Sequence, residues 1–565
     1  MKFDFVIVGG GSAGATLAGR LSADLSKQVA LIEAGPDTPP DDVPEVIADS
    51  YPGLSYFDPK YHWSTLRVFA KNPRSNSAQV PPTRLEQAKV MGGGSSINGQ
   101  FAVRGLPADY DEWEANGATG WGWDGMLPYL KKLERDLDFK GDLHNDTGPI
   151  PIRRVFPEDW AGFTKSVMDV ISDELPYQAD YNASFSDGSF PLPLSNENDR
   201  RVSTAIGYLT KEVRARNNLH IFAETQVEAL ELDGNRITGV RAHSSDGPSK
   251  VWHAKEVIVC AGALHTPAIL MRAGIGPANE LKRHGIKVVA DLPGVGENLM
   301  DHPHIAVGAH FKKSARLKAG QRRHIFLGAR YSSGYEGCTP SDMLMMPVNR
   351  AGWHPLGKAM GALNVCVNKS YSQGRVTLNS ADWRDEPCVD LNLGGDERDL
   401  MRLVDGFERL YRIMEDTRVR SHVNTWFLSG YTEEARSLSV RKPSNYIKTG
   451  SAALMFDYVP FFRDTLLKLK FGTQDRMHAM IQNRDSIVDW AREAVWSGWH
   501  VSCSCKIGAD NDPMAVLDPE CRVRGVEGLR VVDASAMPSV IAANTNITTI
   551  AMAEKVADII LSTPS

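Results

Sequence analysis

The sequence lacks the features that mark membrane, disulfide-rich or nucleic-acid-binding proteins. It contains no run of about 18 or more uninterrupted apolar residues, which disfavours a membrane-spanning segment. Its seven cysteines are scattered and odd in number, so they indicate free thiols in a reducing compartment rather than a disulfide framework. Lys and Arg number 63 against 69 Asp and Glu, without a long basic run, and a nucleic-acid partner is therefore disfavoured.

A secretory signal is also missing at the start of the chain. The stretch "MKFDFVIVGGG" passes directly from Met1 into an apolar strand, without a charged region or a small-residue cleavage site. We therefore expect the protein to be cytoplasmic. With 565 residues, 42% of them hydrophobic and 23% charged, the composition is typical of a soluble enzyme with two domains or one large second lobe.

The first 35 residues carry a nucleotide-binding pattern. An apolar run is followed by Gly9-x-Gly11-x-x-Gly14, a helix-like segment and a second strand-like run that ends near Glu33. In a βαβ dinucleotide unit the glycines make the turn, admit the pyrophosphate and let the helix pack on the strand. The acid would accept the ribose hydroxyls, which disfavours NADP and leaves NAD and FAD. The alternative is a simple glycine-rich turn, which the agreement of strand, spacing and acid disfavours.

Four further segments extend this pattern along the chain. They are "AKVMGGGSSINGQFAVRG" (88–105), "VIVCAGALHTPAILMRAGIGP" (257–277), "LPGVGENLMDHP" (292–303) and "GLRVVDASAMPSVIAANTNITTIAMAEKVADII" (528–560). The first could bring backbone N–H groups against a flat ring or a phosphate, although alone it could be a loop. With the N-terminal motif they make the chain resemble the glucose-methanol-choline (GMC) family of FAD oxidoreductases. Within the family it is most similar to the hydroxymethylfurfural oxidase and aryl-alcohol oxidase group, through "RGLPADYDEW", "VNKS" and "AANTN".

The resemblance implies an α/β fold, α+β overall, in which a Rossmann-like FAD-binding domain is joined to a substrate domain. The substrate domain would have an antiparallel sheet flanked by helices. We expect the FAD domain to comprise 1–155, 225–315 and 496–565, and the substrate domain to comprise 156–224 and 316–495. The histidine that binds the flavin covalently in some members falls at Ile97, so the resemblance predicts noncovalent FAD.

The resemblance also assigns the residues that contact FAD. They are Gly9, Gly11, Ser12, Ala13, Gly14, Glu33, Ala34, Met91, Gly92, Gly94, Ser95, Asn98, Gly99, Val227, Ala261, Gly262, Trp499, Asp533, Ala534, Asn544, Thr545 and Asn546. For Asp533, a helix cap is an alternative role that is compatible with the first.

Near the C-terminus, "WSGWHVSCSCKIG" (496–508) contains His500. It could bind a metal with Cys503 and Cys505, act as a base, or be a buried ring. A metal is disfavoured, since the three residues do not share one face of an extended segment and no further ligand cluster follows. The resemblance places His500 on the family's catalytic histidine and Asn544 on its partner. A neutral imidazole with a pKa near 7 can take the hydroxyl proton of an alcohol while an amide stabilises the developing charge on oxygen.

Three residues are predicted to line the substrate pocket. Trp499 is either a core aromatic or a pocket wall, and the resemblance favours the wall. The absent side chain at Gly498 predicts a wider pocket than in members with valine there. Val367 aligns near the position of a carboxyl-bearing product, and its apolar side chain predicts no special attraction for acidic substrates.

The activity that the resemblance implies is the oxidation of a primary alcohol, of aryl or furan type, to the aldehyde. Hydride would pass to flavin N5, and O2 would be the acceptor and form H2O2. Two alternatives are a dehydrogenase that uses a quinone or another carrier, and an FAD-containing hydroxynitrile lyase. A homodimer is possible. The apolar segment "SAALMFDYVPFFRDTLLKLKF" (451–471) could be a buried or dimer-facing helix, a lid, or a membrane-surface contact.

Overall fold

The computed structural model describes residues 2–70, 81–244, 247–472 and 474–562. Its strands, in chain order, are β1 Lys2–Val8, β2 Val29–Ile32, β3 Arg67–Phe69, β4 Thr83–Arg84, β5 Glu134–Asp136, β6 Ile150–Arg153, β7 Gly188–Pro191, β8 Leu194–Glu197, β9 Arg200–Arg201, β10 Leu219–Phe222, β11 Thr225–Asp233, β12 Arg236–Ser244, β13 Lys250–Val259, β14 Ile275–Gly276, β15 Ala290–Asp291, β16 Pro303–Phe311, β17 Leu327–Tyr331, β18 Met343–Val348, β19 Met360–Val367, β20 Arg375–Thr377, β21 Cys388–Asp390, β22 Val423–Ser429, β23 Trp496–Ser497 and β24 Leu529–Val531.

The helices, in chain order, are α1 Ser12–Leu21, α2 Glu45–Ala48, α3 Gly53–Tyr56, α4 Gly94–Ile97, α5 Pro107–Ala115, α6 Trp123–Lys132, α7 Gly162–Ile171, α8 Thr204–Gly207, α9 Lys211–Arg214, α10 Gly262–Arg272, α11 Ala278–Arg283, α12 Pro355–Ala359, α13 Glu397–Glu415, α14 Thr417–Arg420, α15 Glu433–Ser439, α16 Pro443–Tyr458, α17 Pro460–Phe471, α18 Gln474–Gln482, α19 Arg484–Ala494 and α20 Thr545–Ser562. Short 3₁₀ helices lie at Pro59–Tyr61, Pro157–Asp159, Lys313–Ala315 and Ala534–Ala536.

A seven-stranded mixed sheet carries the N-terminal motif. Its order is β10-β2-β1-β13-β12-β11, and β24 also pairs with β13. The strands β10, β2, β1, β13 and β24 run parallel, whereas β11 and β12 are antiparallel. All four residues of β2 are buried, as a parallel strand covered on both faces requires. Helix α1 begins three residues after the turn at Gly9, at the carboxyl end of β1, where nucleotide sites of this architecture lie.

A second seven-stranded sheet is antiparallel, with the order β22-β16-β19-β18-β17-β7 and with β23 paired to β16. The 19-residue helix α13 packs on one face of it. Gly406 allows this close approach, because a Cβ there would lie 2.9 Å from Cγ1 of Val365. The α/β architecture with an antiparallel second sheet is therefore confirmed.

Three strands cross the predicted domain boundaries. Leu219–Phe222 was assigned to the substrate domain but pairs with β2 in the mixed sheet. Pro303–Phe311 and Trp496–Ser497 were assigned to the FAD domain but pair with each other in the antiparallel sheet. The strands of the two sheets are interleaved along the chain, and at these three places the predicted boundaries do not follow the sheets.

Helices α16 and α17 lie on the surface and expose much of their apolar side. Phe461 is 82% exposed and Leu469 81%, while Phe456 and Leu467 are buried against Phe427. The segment 451–471 is therefore not a buried helix. Of the described helices, none is both long and apolar enough to cross a bilayer.

Candidate active site

A cavity of about 590 Å³ reaches from the end of β1 to the antiparallel sheet. This volume is typical of small-molecule sites. The wall includes these predicted residues: Gly9, Gly11, Ser12, Ala13, Glu33, Ala34, Gly94, Asn98, Gly99, Val227, Ala261, Gly262, Gly498, Trp499, His500, Asp533, Ala534, Asn544, Thr545 and Asn546. Segments separated by more than 500 residues thus meet at one site.

Four predicted cofactor residues lie behind this wall. Gly14 packs α1 on β1, because a Cβ there would lie 1.9 Å from the carbonyl oxygen of Gly9. The others belong to the turn that supports the wall. These are Met91, whose carbonyl accepts a hydrogen bond from Ser96, Gly92, and Ser95, whose hydroxyl donates to the carbonyl of Gly92 at 2.5 Å.

Val367 does not line the cavity, contrary to the prediction. It lies on β19 and is fully buried, whereas Cys366 and Asn368 belong to the wall. Side chains alternate between the two faces of a strand, so the residues on either side of Val367 face the cavity. The side chain of Val367 therefore gives no information about whether the cavity attracts acidic substrates.

The nucleotide end of the cavity fits a dinucleotide. Helix α1 has no side-chain cap at its N-terminus, and Gly11, which precedes it, lies so close to Gly93 that a Cβ at Gly93 would be 2.7 Å from the Gly11 Cα. Backbone N–H groups there are free to bind a pyrophosphate. At the end of β2, Glu33 accepts hydrogen bonds from the backbone N–H groups of Gly10 at 2.8 Å and Gly35 at 2.7 Å, which fixes its carboxylate at the wall.

Asp533 caps the 3₁₀ helix Ala534–Ala536 that follows it, as predicted, whereas its contact with FAD stays a prediction. Its Oδ2 accepts hydrogen bonds from the N–H of Gly262 at 2.8 Å and the hydroxyl of Thr266 at 2.6 Å, and so caps helix α10. Its Oδ1 accepts from the N–H of Ser535 at 2.8 Å. The residue also lines the cavity, where it holds the start of α10 against the wall.

His500 is at the centre of a directional hydrogen-bond chain. His302 Nε2 lies 3.0 Å from the carbonyl oxygen of Ile541, which can only accept, so Nε2 carries the proton. Nδ1 of a neutral His302 is then an acceptor, and the His500 Nδ1, 2.8 Å away, must donate to it. The His500 Nε2 is left with a lone pair, 2.7 Å from Asn544 Nδ2, which donates. The surroundings thus assign the tautomer of a base.

Asp301 holds the two histidines in place through their backbones. Its Oδ1 accepts hydrogen bonds from the N–H of His302 at 2.7 Å and of His500 at 2.9 Å, and its Oδ2 accepts from the hydroxyl of Ser497. The carboxyl is fully enclosed, and burial raises the pKa of Asp301 to about 6. A single carboxyl therefore joins strand β16 to the segment that carries His500.

The histidines are neutral at physiological pH. Burial and the neighbouring imidazoles of His302 and His304 hold the pKa of His500 well below its ordinary value. We expected a pKa near 7 from the sequence, which did not reveal that three imidazoles meet. The base is thus present in its proton-accepting form over the whole neutral range.

Gly498 allows the histidines to pack rather than widening the cavity, contrary to the prediction. A Cβ at this position would lie 2.8 Å from the His304 Nε2 and 3.0 Å from the His500 Nδ1. It would point into the imidazole cluster, so the missing side chain is needed there. The wider pocket that we predicted does not follow from this glycine.

Trp499 is part of an aromatic wall. Its ring packs edge-on against Tyr56 and Tyr431, with centroids 5.3 and 5.1 Å away. The indole N–H donates to the Glu86 carboxylate at 3.3 Å, and the Tyr56 hydroxyl donates to the same oxygen at 2.8 Å. All three rings line the cavity, which agrees with the predicted wall role of Trp499. They form an aromatic surface in which Trp499 stands nearly perpendicular to both tyrosine rings.

The cysteines next to His500 have a structural position. Backbone N–H groups of Cys503 and Cys505 donate to the carbonyls of Ala534 at 2.9 Å and Ser535 at 2.8 Å. Both thiols are buried, and burial raises the pKa of Cys503 to about 12. They are protonated thiols, which are poor metal ligands.

Within the described residues, one group has the spacing of a metal site: Glu134, Asp136 and His144, whose ligand atoms lie within 4.8 Å of one another. Arg104 already pairs with Glu134 at 2.6 Å, and Arg154 pairs with Asp136 at 2.7 Å. Although burial opposes it, hydrogen bonding to the surrounding carboxylates raises the pKa of His144 to about 10. A protonated imidazole cannot bind a metal, so we interpret the group as an ion-pair network.

Sequence reasoning missed Asp301, His302 and His304. The segment "LMDHP" that contains the first two was used only as a family motif. A signal did exist, because an acid followed directly by two histidines at alternating positions, 302 and 304, is unusual near a buried strand. Their meeting with His500 depends on the pairing of β16 with β23, across 198 residues between His302 and His500.

Comparison with known families gives two matches along the chain. Residues 3–304 and 370–553 match the GMC oxidoreductase family. The chain belongs to the GMC oxidoreductase family. This GMC oxidoreductase is 40% identical to 5-(hydroxymethyl)furfural oxidase of Methylovorus sp. (strain MP688) over 571 residues, covering 99% of both chains. It is 30% identical to oxygen-dependent choline dehydrogenase of Vibrio vulnificus (strain YJ016), covering 99% of this chain and 94% of the other.

Solved structures show the same fold. Pyridoxine 4-oxidase from Mesorbium loti superposes with a TM-score of 0.82 at 24% identity and covers 100% of both chains. A new fungal aryl-alcohol oxidase superposes with a TM-score of 0.74 at 22% identity and covers 99% of this chain and 98% of the other. This GMC oxidoreductase is an FAD-dependent enzyme that oxidises alcohols at a CH–OH group. Bound FAD supplies the hydride acceptor.

Proposed function

We propose that the enzyme oxidises a primary alcohol of aryl or furan type to the aldehyde, with O2 as the acceptor and H2O2 as the second product. The observation that carries the proposal is the His500–Asn544 pair, in which an unprotonated Nε2 lies 2.7 Å from an amide donor at the cavity wall. The balance is one alcohol and one O2 converted to one aldehyde and one H2O2.

His500 and Asn544 divide the work on the alcohol oxygen. Nε2 of His500 accepts the hydroxyl proton, while Nδ2 of Asn544 donates a hydrogen bond to the same oxygen as negative charge develops on it. In the imidazolium that forms, the Nδ1 proton stays on His500 and is donated in a hydrogen bond to Nδ1 of His302. Asp301 fixes the backbone of His500, and the contact between His500 Nδ1 and His302 orients the ring before the alcohol binds.

An aromatic alcohol suits the surface beside the base. Trp499, Tyr56 and Tyr431 form an apolar wall against which a planar ring can pack, and their polar tips are bound to Glu86 or to each other. The wall thus offers few hydrogen bonds to an aliphatic polyol. The relative named 5-(hydroxymethyl)furfural oxidase supports the same substrate class.

We also propose that FAD is held without a covalent bond. Ile97 lines the cavity at the position where the resemblance places the covalent histidine, and its side chain has no nucleophilic atom. Precipitation with acid should leave the yellow colour in the supernatant. A yellow pellet after repeated washing would contradict this part of the proposal.

Anaerobic reduction of the flavin tests the reaction. Benzylic and furanic alcohols should bleach the bound flavin, and aliphatic or choline-like alcohols should do so much more slowly. In His500→Ala, with FAD still bound, we expect reduction to slow by about 10²- to 10⁴-fold. His220→Ala is the control, because that histidine lies on the edge strand β10 and is not part of the cavity wall.

Mixing the reduced enzyme with air tests the acceptor. Fast reoxidation with stoichiometric H2O2 is expected of an oxidase. Slow reoxidation that a quinone accelerates would replace the oxidase with a dehydrogenase. If no alcohol bleaches the flavin while a cyanohydrin is cleaved, the lyase alternative is correct and the oxidation proposal fails.

A further inference from the structure

We propose that the end of the cavity around Arg350 binds a carboxylate, so that the preferred substrate is an elongated aromatic alcohol with an acidic group far from the reacting carbon. This inference rests on the proposed alcohol oxidation and adds the substrate class. It concerns a residue that no sequence motif singled out.

Arg350 is a buried cation without an anion. Its side chain is 5% exposed and lines the cavity. Nε donates to the carbonyl of Gly352 at 2.8 Å, and Nη2 donates to the carbonyl of Trp353 at 3.3 Å. Within the described part of the chain, no carboxylate lies within ion-pair distance of Arg350 and no hydrogen bond leaves its Nη1.

Asp49, an acid whose charge acts on Arg350, is already engaged elsewhere. Asp49 forms an ion pair with Arg322 and accepts a hydrogen bond from the N–H of Tyr51 at 2.7 Å. Elsewhere in the molecule, buried arginines such as Arg104 and Arg402 pair with buried carboxylates. An enclosed guanidinium at a cavity wall is strongly stabilised if a ligand supplies the missing negative charge.

The guanidinium is held in a fixed orientation. It stacks on the ring of Tyr51 at 3.9 Å, and Tyr51 in turn packs edge-on against His324 at 5.1 Å. The carbonyls of Gly352 and Trp353 accept hydrogen bonds on the Nε–Nη2 edge of the guanidinium. The Nη1–Nη2 edge remains free. That edge matches the two oxygens of a carboxylate.

Two other buried arginines lie behind the wall, next to its residues Asn98 and His324. Arg323 and Arg201 are both buried and donate to backbone carbonyls, including those of Gly99 and Ser95, instead of to carboxylates. The Arg323 Nη2 and the His324 Nδ1 have no hydrogen-bond partner among the described residues. The positive charge at this end of the cavity is therefore not balanced by the nearby acid.

The sheet register separates Arg350 from the His500 side of the cavity along strand β18. His304, which touches the His500 side of the cavity, pairs through Cys366 with Leu344. From Leu344 the wall continues along β18 to Val348, and Arg350 follows two residues later. Four residues of a strand span roughly 13 Å. A single furan or benzene ring cannot cover this distance, whereas two linked rings with a terminal carboxylate can.

The test compares an acid with its ester on the same scaffold. The long pair is 4′-(hydroxymethyl)biphenyl-4-carboxylate and its methyl ester, and the short pair is 4-(hydroxymethyl)benzoate and its methyl ester. The wild-type enzyme should show a higher kcat/KM for the long acid than for its ester. Arg350→Met should lower this ratio by about 10- to 100-fold, as expected for a charge-assisted hydrogen-bonded pair. The short pair should show no such dependence on Arg350.

Lys358→Met is the matched control. Lys358 is exposed and does not line the cavity. Its pKa is lowered first by partial burial of the amine and second by the charge of Arg350, so the two cations act on each other. Its removal takes away the same charge and should leave the acid-to-ester ratio unchanged. An equal fall in both variants would indicate long-range steering and overturn the direct contact.

Binding without turnover separates the two proposals. Biphenyl-4-carboxylate, which has no alcohol, should perturb the flavin spectrum of the wild-type holoenzyme, bind more weakly to Arg350→Met and recover in part in Arg350→Lys. Equal affinity in wild type and Arg350→Met, with FAD content and Tm retained, would refute the carboxylate site. If the acid binds through Arg350 but neither alcohol is oxidised, the proposed function fails and the carboxylate site stands.

Discussion

The Nδ1 atoms of His302 and His500 lie 2.8 Å apart, and only one of them can carry the proton. Because His302 donates its Nε2 proton to the carbonyl of Ile541, the proton between the two Nδ1 atoms belongs to His500. The tautomer of His500, the proposed base, is thus determined by the backbone carbonyl of Ile541, which acts through His302.

Substituting His302 should change the rate of flavin reduction without emptying the cofactor site. His302→Leu cannot accept the His500 proton, so the imidazole can adopt the wrong tautomer, and we expect reduction to slow by about 10²-fold. His302→Gln keeps an oxygen that can accept and should recover part of the rate. Stopped-flow reduction of both variants checks this, and equal rates in the two would show that the proton position is not set by His302.

Stability should fall in mild acid because of the buried imidazoles, with a partial offset from Asp301, whose pKa burial raises to about 6. Burial lowers the pKa of His302 to about 3 and that of His304 to about 4, compared with 6.5 in an unfolded chain. Between about pH 6.5 and 4 the unfolded state binds protons that the folded state does not, so each histidine costs up to about 1.4 kcal/mol of unfolding free energy per pH unit. Above about pH 6.5 the effect is absent.

Denaturant unfolding at a series of pH values measures this slope. His304→Gln should remove about one proton from the slope between pH 6.5 and 4. His144 acts in the opposite direction, since its hydrogen-bonded carboxylates raise the pKa to about 10 despite burial. Its stabilisation is complete below pH 6.5 and is lost as the pH rises towards 10. An unchanged acid slope in His304→Gln would mean that this ring is not neutral in the fold.

Gly498→Ala should damage catalysis more than substrate binding. The new Cβ would lie 3.0 Å from the His500 Nδ1 and 2.8 Å from His304, so both rings must move. We expect kcat to fall about tenfold or more through lost geometry, with a smaller change in KM. Gly430→Ala, where the nearest atom is 3.8 Å away, is the control. A higher KM with an unchanged kcat would instead support the role of Gly498 in widening the substrate pocket.

Gly14→Ala should prevent stable assembly of the cofactor site. Its Cβ would be 1.9 Å from the backbone oxygen of Gly9, which cannot move without breaking the turn. Overpacking of this kind typically costs about 1–3 kcal/mol or more, so we expect low FAD content and a lower Tm. Gly450→Ala in α16 has its nearest neighbour at 3.9 Å and should leave FAD content unchanged while raising stability slightly. Normal FAD loading of Gly14→Ala would contradict the packing argument.

The local part of the architecture was readable from the sequence. Strand β1, the glycine turn and helix α1 follow from apolar runs and glycine spacing within 35 residues, and Glu33 lies where the motif requires. His500 and Asn544 were identified by resemblance, and the structure brings them within 2.7 Å. The contact itself was not predictable from spacing, because 44 residues and a change of element separate them.

The errors share a physical cause. Val367 was placed by alignment, yet a strand alternates its faces and the neighbours took its place at the wall. Gly498 was interpreted as empty space, but the space is filled by imidazoles that arrive from strand β16. Arg350 had no motif at all, and only its burial without an anion makes it notable. Each depends on which distant strands pair, information that local patterns do not contain.

The interleaving of the two sheets has a consequence during synthesis. Ser12, at the start of the chain, donates a hydrogen bond to Asn546 at 2.7 Å, and β13 receives β24 as its last partner. At about 5–20 residues per second, the glycine turn leaves the ribosome roughly half a minute to two minutes before these partners do. The nascent chain must therefore wait with an incomplete nucleotide pocket, and FAD can be loaded only after almost the whole polypeptide has been made.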